Sequence, residues 1–438
     1  MNRLFIVALI LASAVPLARA DEPWTLDRAV ATALEHNPDA RVARARIEAA
    51  QALVSQSQAA WLPQLSVSGR YTDTNSPMMA FGSILNQRAF SFGLDFNHPG
   101  KIDDLNATGT VAYNIYSGGR ATAGREAAKA GAEAADFDLQ ATRNDLATAV
   151  VKAALNMRKA REAVGAVAGG VRAYEAAVSA AQARYEAGQL LKADLLSLEV
   201  QLAQTQEMLA SAHHGAELAA RAFQFVLGLE PIGGSVELAD SDPALGRLVL
   251  PDTNDFSRRP ELVGLQARVR AAAAMVNAAR SGRRPTVNAF ASYQYDQGWQ
   301  LDRHADGWLA GLSVDMNIFD GGQTSGKVRE ADAGLTQIKE MLRKATLGVE
   351  LEVEQARLSH ADAVQTLSVA TRAVEQAEES AALTRARFEK EAVLTADLIG
   401  VEGRLLEARL RRTAAAADEH MALVELRRAL GLQPLPQS

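Results

Sequence analysis

Residues 184–202, RYEAGQLLKADLLSLEVQL, recur at positions 387–405 as RFEKEAVLTADLIGVEGRL, shifted by 203 residues (387 minus 184). Two further matches lie at the same shift: NIYSGG at 114–119 with NIFDGG at 317–322, and LGLEP at 227–231 with LGLQP at 430–434. Three separate matches at one shift indicate that a whole supersecondary unit has been duplicated. The sequence therefore predicts two halves of similar fold, which we assign to residues 21–230 and 258–432.

The start of the chain has the features of a secretory signal peptide. Arg3 precedes an apolar run from Leu4 to Leu17, and Ala18-Arg19-Ala20 supplies a cleavage site of small residues. We therefore expect residues 1–20 to be removed and the mature protein to be exported. The proline-containing residues 231–257 are predicted to link the halves, and residues 433–438 to form a short tail.

The composition excludes several classes of site. The 438 residues contain no cysteine, which rules out a lipid-attachment cysteine, disulfide bonds and thiolate metal ligands. The net charge of −6 is mild, and charges of both signs are interleaved along the chain, so nothing favours nucleic-acid binding. The seven histidines show no HExxH spacing, and no phosphate-binding loop or nucleophile elbow occurs. We expect neither an enzyme nor a bound metal or cofactor.

Both halves contain the same helical pattern. The first helix begins after a candidate N-cap, Thr25, and breaks at Asn37-Pro38. The predicted helices cover 25–61, 120–186 and 190–227 in the first half, and 260–280, 323–390 and 395–430 in the second. A helix of about 65 residues is ~100 Å long, which no compact globule needs.

Segments with period-two alternation of apolar and polar residues predict four strands, two in each half. Their apolar positions are Leu65, Val67 and Tyr71; Val111, Tyr113 and Ile115; Val287, Ala289, Ala291, Tyr293 and Tyr295; and Trp308, Ala310, Leu312, Val314, Met316 and Ile318. Each segment has about the ~9–11 residues of a tilted transmembrane strand. The stretch Asp73–Asn106 between the first two strands is predicted to be an irregular surface loop, lengthened by the extra residues of the first half.

Four strands cannot close a barrel, and an open sheet cannot remain in lipid with unpaired edges. If these strands enter a membrane, several chains must therefore pool them into one barrel, from which the helices hang as a water-filled tube. A soluble coiled-coil adaptor or scaffold in the periplasm is the main alternative. A periplasmic binding module or enzyme is a weaker one, because it would need a compact α/β pattern.

The mature chain resembles the TolC-like outer-membrane efflux proteins over essentially its whole length. The resemblance rests on Asn-Pro-Asp at 37–39 and Arg-Pro-Glu at 259–261, WLPQL at 61–65, GLSVDMNIFDGG at 311–322, and the Ala-Asp-Leu motifs at 193–195 and 396–398. It implies a mostly α protein with β strands, a homotrimer with a twelve-stranded transmembrane β-barrel continued by a long periplasmic α-helical barrel of coiled coils. It also implies a place in the outer membrane of a Gram-negative bacterium, with most of the chain in the periplasm.

The resemblance further implies a function. Such a protein is the exit duct of a tripartite efflux or type I secretion system, and it conducts substrates passively. Its partners are a periplasmic adaptor (a membrane fusion protein) and an inner-membrane pump of the RND or ABC type. The sequence does not indicate which substrate passes.

Two acidic residues near the helical-hairpin turns are candidates for a constriction at the periplasmic entrance. Asp397 matches the family position whose carboxylates form a ring that selects cations, and Asp194 is its counterpart in the first half. The alternative is that both are first-turn acids favoured by the helix dipole. Gly400 stands where relatives often carry a second acid, so a single ring is expected.

Other residues around the same turns are candidates for gating and docking. Tyr185 and Phe388 are expected to pack at the gate or simply in the core. In the related proteins a tyrosine hydroxyl at the position of Phe388, and sometimes an arginine at the position of Val393, helps to hold the coiled coils closed. Neither polar group is present here, so the resemblance implies that apolar packing of Phe388 takes their place. The candidate adaptor-docking tips are Gly188, Gln189, Leu190 and Leu191 in the first hairpin, and Glu391, Ala392, Val393 and Leu394 in the second. The pairs Gly118-Gly119 and Gly321-Gly322 are expected to permit sharp bends between strand and helix.

Overall fold

The computed structural model of the chain describes residues 23–95, 97–230, 236–239, 246, 248–249, 253, 255–390 and 392–435. The predicted signal peptide, most of the predicted linker, Glu391 and the last three residues of the tail lie outside the described residues. Within the described part, no helix is both long and apolar enough to cross a membrane.

The order helix, two strands and a hairpin of two long helices occurs in both halves. The first half contains α1 (Leu26–His36), α2 (Pro38–Ala59), β1 (Gln64–Thr74), α3 (Pro77–Asn86), β2 (Ile102–Tyr116), α4 (Arg120–Glu186) and α5 (Lys192–Leu227). The second contains α6 (Pro260–Arg280), a 3-10 turn (Ser281–Arg283), β3 (Thr286–Gly298), β4 (Arg303–Asp315), α7 (Gln323–Glu389) and α8 (Thr395–Ala429). The long helices predicted from the sequence are confirmed to within two residues at their ends.

Local side-chain chemistry explains where the first two helices begin. Thr25 accepts a hydrogen bond from the backbone N–H of Arg28 at 3.3 Å and caps α1. Asn37 ends α1, and its Oδ1 accepts from the N–H of Asp39 at 2.8 Å to start α2. Pro38 then occupies the first position of α2, where its missing N–H costs nothing.

The two 67-residue helices begin in a similar way. The Ser117 hydroxyl accepts from the N–H of Ala121 at 3.0 Å, and the Asp320 carboxylate accepts from the N–H of Thr324 at 2.8 Å. Ser117 and Asp320 are equivalent positions of the duplication. The strand-to-helix junctions therefore keep a capping oxygen although the residue type has changed.

The chain forms two compact units. One unit comprises residues 43–140 and 257–348 and contains a four-stranded sheet in the order β1-β2-β3-β4. Every neighbouring pair of strands is antiparallel. β1 and β4 are the two edges of this sheet, so each has one side without a partner strand.

The other unit comprises residues up to 42, 141–256 and 349 onward, and is built from helices. A core cluster of this unit combines residues of α1, α4 and α5, among them Ala29, Val150 and Phe223. The ring of Trp24 packs edge-on against the ring of Phe223, with 6.2 Å between the ring centres. Charged pairs add to this packing, with Lys152 bound to Glu425, and Arg428 bound to Asp145 at 3.3 Å.

Part of the predicted linker also belongs to this helical unit. Trp24 donates its N–H to the carbonyl of Glu237 at 2.7 Å, and Ala239 donates back to the Trp24 carbonyl at 3.0 Å. The described part of the linker thus pairs with the residues that precede α1.

Two details predicted from the sequence are wrong. The stretch Asp73–Asn106 is not irregular throughout, because α3 occupies residues 77–86 and β2 begins at Ile102. Pro77 at the start of α3 and the buried residues Ala80, Ser83 and Ile84 at helical spacing explain that helix. β4 ends at Asp315, which leaves Met316 and Ile318 outside the strand, because the neighbouring strand β3 begins at Thr286 opposite Asp315.

Candidate channel entrance and membrane-facing sheet

The turn between α4 and α5 is closed by the backbone. Gly188 has a φ of +75°, and the N–H of Gln189 donates to the carbonyl of Arg184 at 2.8 Å. A left-handed residue at this position is the usual way to end a helix, and only glycine adopts it without strain. Leu191 is exposed beside the turn, so the first tip presents an apolar side chain to its surroundings.

The turn between α7 and α8 is built differently. The N–H of Ala392 donates to the carbonyl of Arg387 at 2.9 Å, and Glu391 lies outside the described residues. Leu394 precedes α8 and is exposed, whereas Val393 is half-buried. The two tips share exposed leucines but differ in the turn that carries them.

Asp194 and Asp397 occupy the first turns of α5 and α8, as the duplication predicts. The Asp397 carboxylate is exposed, and it accepts a hydrogen bond from the N–H of Leu394 at 3.3 Å. Asp194 is half-buried. Asp397 therefore caps α8 within the chain, and its carboxylate remains exposed.

Phe388 is buried, being 3% exposed, whereas Tyr185 is exposed. Arg184 of α4 reaches across to this region of α7. Its Nη1 donates to the carbonyl of Phe388 at 3.1 Å, and its guanidinium carbon lies 5.0 Å from the centre of the Phe388 ring. A hydrogen bond and a cation–π contact therefore join the end of the first helical hairpin to the second.

A second contact joins the hairpins farther from the turns. Tyr174 of α4 is almost fully buried, and its hydroxyl donates to the carbonyl of Ile399 in α8 at 3.2 Å. Burial, with the nearby carboxylate of Glu402, raises the pKa of Tyr174 to about 12. The hydroxyl therefore remains protonated, and able to donate, at any physiological pH.

The buried carboxylate of Glu402 is paired within the second hairpin. Arg385 of α7 binds both of its oxygens, with Nη2 at 2.7 Å from Oε2. This hydrogen-bonded pairing raises the pKa of Arg385. The ion pair clamps the end of α7 to α8, so that the second hairpin presents a fixed surface to Arg184 and Tyr174.

These contacts identify residues that sequence reasoning missed. We call Arg184 and Tyr174, with their acceptors Phe388 and Ile399, the inter-hairpin latch. The sequence predicts apolar packing there because the second-half positions Phe388 and Val393 offer no polar latch group. Arg184 does stand in the quoted repeat, but its counterpart Arg387 is exposed, so the repeat alone does not distinguish the two.

The glycine pairs lie at the predicted junctions. Gly118 and Gly119 have φ of +66° and +89°, and Gly321 and Gly322 have +64° and +88°. Two successive left-handed residues turn the chain sharply from strand to helix. A Cβ on Gly118 would also lie 3.0 Å from the Ser281 carbonyl oxygen, so space as well as conformation requires glycine there.

The sheet has one apolar and one polar face. Cross-strand neighbours on the apolar face include Leu65 with Val111 and Tyr293 with Trp308. The polar face carries neighbours such as Ser68 with Thr108, and Asn106 donates to the Asp296 carboxylate at 2.8 Å. On the apolar face, the side chains of Val67 and Trp308 are 80% and 79% exposed. Exposed apolar side chains on one face and polar side chains on the other are expected of strands that contact lipid.

The sequence model of the outer membrane efflux protein family matches residues 29–229 and 256–432, which include both helical hairpins and all four strands. The chain belongs to the outer membrane efflux protein family. As an outer membrane efflux protein it is a channel of the outer membrane and not an enzyme.

Two individual proteins are similar to this chain in sequence. Protein CyaE of Bordetella pertussis is 25% identical over 349 residues, covering 78% of this chain and 70% of CyaE. The fusaric acid resistance protein FusA of Burkholderia cepacia is 24% identical over 331 residues, covering 72% of this chain and 59% of FusA.

Solved structures show the same fold. The outer-membrane channel OprN superposes with a TM-score of 0.79 at 21% identity, covering 94% of this chain and 91% of OprN. The CmeC outer membrane channel of Campylobacter jejuni has a TM-score of 0.79 at 16% identity, covering 94% of this chain and 86% of CmeC.

Proposed function

We propose that this outer membrane efflux protein is a homotrimeric exit duct of a tripartite efflux or type I secretion system. It conducts substrates passively from a periplasmic adaptor and an inner-membrane pump to the exterior of a Gram-negative cell. The observation that carries this proposal is the four-stranded sheet, which combines one apolar face with two open edges, β1 and β4.

Unpaired backbone groups at a strand edge cost several kcal/mol each in lipid, so the sheet cannot be inserted alone. Pairing β4 of one copy with β1 of the next satisfies both edges and turns the polar faces inward around water. Three copies supply twelve strands, enough for a barrel with an open lumen. The apolar faces then contact lipid, and most of the remaining chain lies in the periplasm.

The periplasmic entrance in this proposal is formed by the ends of the helical hairpins. The inter-hairpin latch holds the two hairpins of a copy together and keeps the entrance closed. Asp397, with Asp194, supplies carboxylates at the constriction, where a ring of like charge concentrates cations. Opening consists of breaking the latch contacts, so that the hairpins move apart as an iris.

The tips at 188–191 and 392–394 are proposed to dock the periplasmic adaptor, a membrane fusion protein. Their exposed leucines, Leu191 and Leu394, supply apolar contact at both tips. Because only the first tip has a glycine turn, the two docking grooves in a copy are unequal. The energy for transport comes from the pump, of the RND or ABC type, and adaptor contact biases the latch.

The relatives leave the substrate class open. FusA is named for resistance to fusaric acid. Drug efflux, metal-ion efflux and type I protein secretion are the three roles open to the duct.

A soluble periplasmic adaptor or scaffold is the rival function. It would need the exposed side chains of Leu65, Leu312 and Val314 to be covered by something other than lipid. The duct proposal accounts for these side chains with the membrane itself, and the family assignment favours it.

The deciding experiment is the native mass of the protein extracted in mild detergent from purified outer membranes. We expect a mass of three mature chains. A monomer, or recovery in the soluble periplasmic fraction, would refute the pooled barrel and leave the adaptor or scaffold function in its place.

A further inference from the structure

Helix α3 and the residues after it are seated on one face of the sheet, at the end away from the long helices. Gln87 is fully buried there, and its Nε2 donates to the carbonyl of Asp103 at 2.7 Å and to the carboxylate of Asp104 at 3.0 Å. Arg88 donates to the carbonyl of Asp306 in β4 at 3.0 Å. The segment therefore extends from its own hairpin, β1–β2, to the neighbouring hairpin, β3–β4.

The face that holds α3 is the polar one. Asp104 lies opposite Thr72 and shares its face with Asn106, which binds Asp296. Ile102, on the same face, packs against Ala80 and Ile84 of α3. When sheets of several copies close a barrel, this face encloses the pore, so α3 lies inside the mouth of the pore.

One glycine makes room for this seat. A Cβ on Gly298 of β3 would overlap the side-chain amide of Gln87. Gly307 of β4 is on the same polar face, but a Cβ there would meet only the Gln294 side chain at 3.7 Å. The position of Gln87 after α3 therefore requires glycine at 298, whereas a larger residue at 307 would not disturb it.

The side of α3 that faces away from the sheet is apolar. The exposed side chains of this segment include Met78, Met79 and Leu85 in the helix and Phe90 and Phe92 after it. Phe92 is 99% exposed and Met78 87%, and the rings of Phe90 and Phe92 lie 5.5 Å apart. An exposed apolar group of this extent marks a contact surface.

We propose that the segment 77–92 is an outer-mouth plug, closed by contact between the apolar sides of this segment in neighbouring copies of the chain. The proposal rests on the proposed function, since it requires several sheets to enclose one pore. Lipid is not the occupant, because the lipid-facing residues such as Val67 and Trp308 are on the opposite face of the sheet. Inside the mouth, the apolar side of one copy faces the pore axis, where the same segment of the other copies supplies apolar surface.

The plug gives the duct a second barrier, at the exterior end and independent of the periplasmic entrance. It acts on hydrophilic solutes that would otherwise diffuse inward from the medium. Only apolar contacts between copies have to separate for outward passage, while the hydrogen bonds of Gln87 and Arg88 keep each segment attached to its own sheet.

Accessibility of the lumen from outside the cell tests this proposal. The chain has no cysteine, so Ser68→Cys, on the polar face of β1, places a single reporter in the barrel wall. Intact cells are treated with a polyethylene-glycol maleimide too large to cross the outer membrane, in the parent, Gly298→Ala and Gly307→Ala backgrounds. A small maleimide on the purified trimer measures the reactivity of the thiol itself.

We expect slow labelling by the large reagent in the parent and in Gly307→Ala, and labelling about ten-fold faster in Gly298→Ala, because the new methyl group displaces Gln87. Equally fast labelling in all three backgrounds would overturn the plug. So would equally slow labelling in all three. A Ser68→Cys trimer that the small maleimide does not label would instead contradict the barrel, and with it the proposed function.

Cross-linking tests the contact between copies directly, because it does not require the displacement of Gln87. Phe92→Cys trimers in outer membranes are oxidised and separated by non-reducing electrophoresis, with Gln300→Cys, in the exposed β3–β4 turn, as the matched control. We expect disulfide-linked dimers for Phe92→Cys and monomers for Gln300→Cys. Monomers for both, in trimers of normal mass, would overturn the contact between plugs.

Discussion

Removing the Arg184 side chain is the sharpest perturbation of the proposed entrance. Arg184→Ala deletes the hydrogen bond to the Phe388 carbonyl at 3.1 Å and the contact with the Phe388 ring at 5.0 Å. A hydrogen bond from a charged donor contributes about 1.5–3 kcal/mol, and a cation–π contact at a partly exposed site about 0.5–1 kcal/mol. The latch of one copy should therefore lose about 2–4 kcal/mol.

This loss converts into a large shift in the closed–open equilibrium. Each 1.4 kcal/mol changes an equilibrium constant about ten-fold. The two hairpins of one copy should therefore be found apart about 30- to several-hundred-fold more often than in the parent. The assay is single-channel conductance of purified trimers in planar bilayers, read as the fraction of time in the high-conductance state. Cells that produce the variant should also become sensitive to a large hydrophilic antibiotic that the parent channel excludes.

The duplication supplies a matched control for this measurement. Arg387 is the equivalent residue of the second half and its side chain is exposed, so Arg387→Ala removes the same chemical group without breaking the latch. Arg184→Lys keeps the charge but lacks the planar guanidinium that stacks on the ring, and should be intermediate. Identical conductance for Arg184→Ala, Arg387→Ala and the parent would refute the latch.

Three further predictions concern the same end of the molecule. Asp397→Asn should weaken the block of single-channel current by multivalent cations by about ten-fold while its amide oxygen still caps α8, and an unchanged block would remove Asp397 from the constriction. Gly188→Val should impair export several-fold with a normal trimer mass, because valine does not tolerate a φ of +75°, and normal export would show that the tip makes no tight contact. Tyr174→Phe should abolish the alkaline opening of the entrance. Since the pKa of Tyr174 is raised to about 12 from an ordinary value of 10.0, its contribution is complete below about pH 10 and is lost as the pH rises through 12, so parent conductance should increase over that range. A parent and a Tyr174→Phe variant with the same pH profile would contradict the latch function of the hydroxyl.

The sequence predicted the parts of the fold that depend on local patterns. The duplication, the helix break at Asn37-Pro38 and the limits of the two 67-residue helices can all be read from spacing, capping residues and proline. The strand faces could be read as well, since alternation fixes which residues share a face. These features need no knowledge of which segments meet in space.

Contacts between distant segments could not be read in the same way. Arg184 meets Phe388 across 204 positions of sequence, and nothing local distinguishes it from the exposed Arg387. Helix α3 is a different case, because Pro77 and the spacing of Ala80, Ser83 and Ile84 are local signals. Predicting one irregular loop for the whole of Asp73–Asn106 gives these signals no weight.

The open edges of the sheet have a genetic consequence. Since a copy whose β1 or β4 edge cannot pair leaves a gap in the proposed barrel, one defective chain should disable the two sound chains beside it. With equal production of sound and edge-defective chains that still assemble at random, only roughly one trimer in eight would contain three sound copies. A mutation confined to an edge strand should therefore be dominant in a cell that also carries the normal gene, whereas a mutation that prevents the chain from reaching the membrane should be recessive.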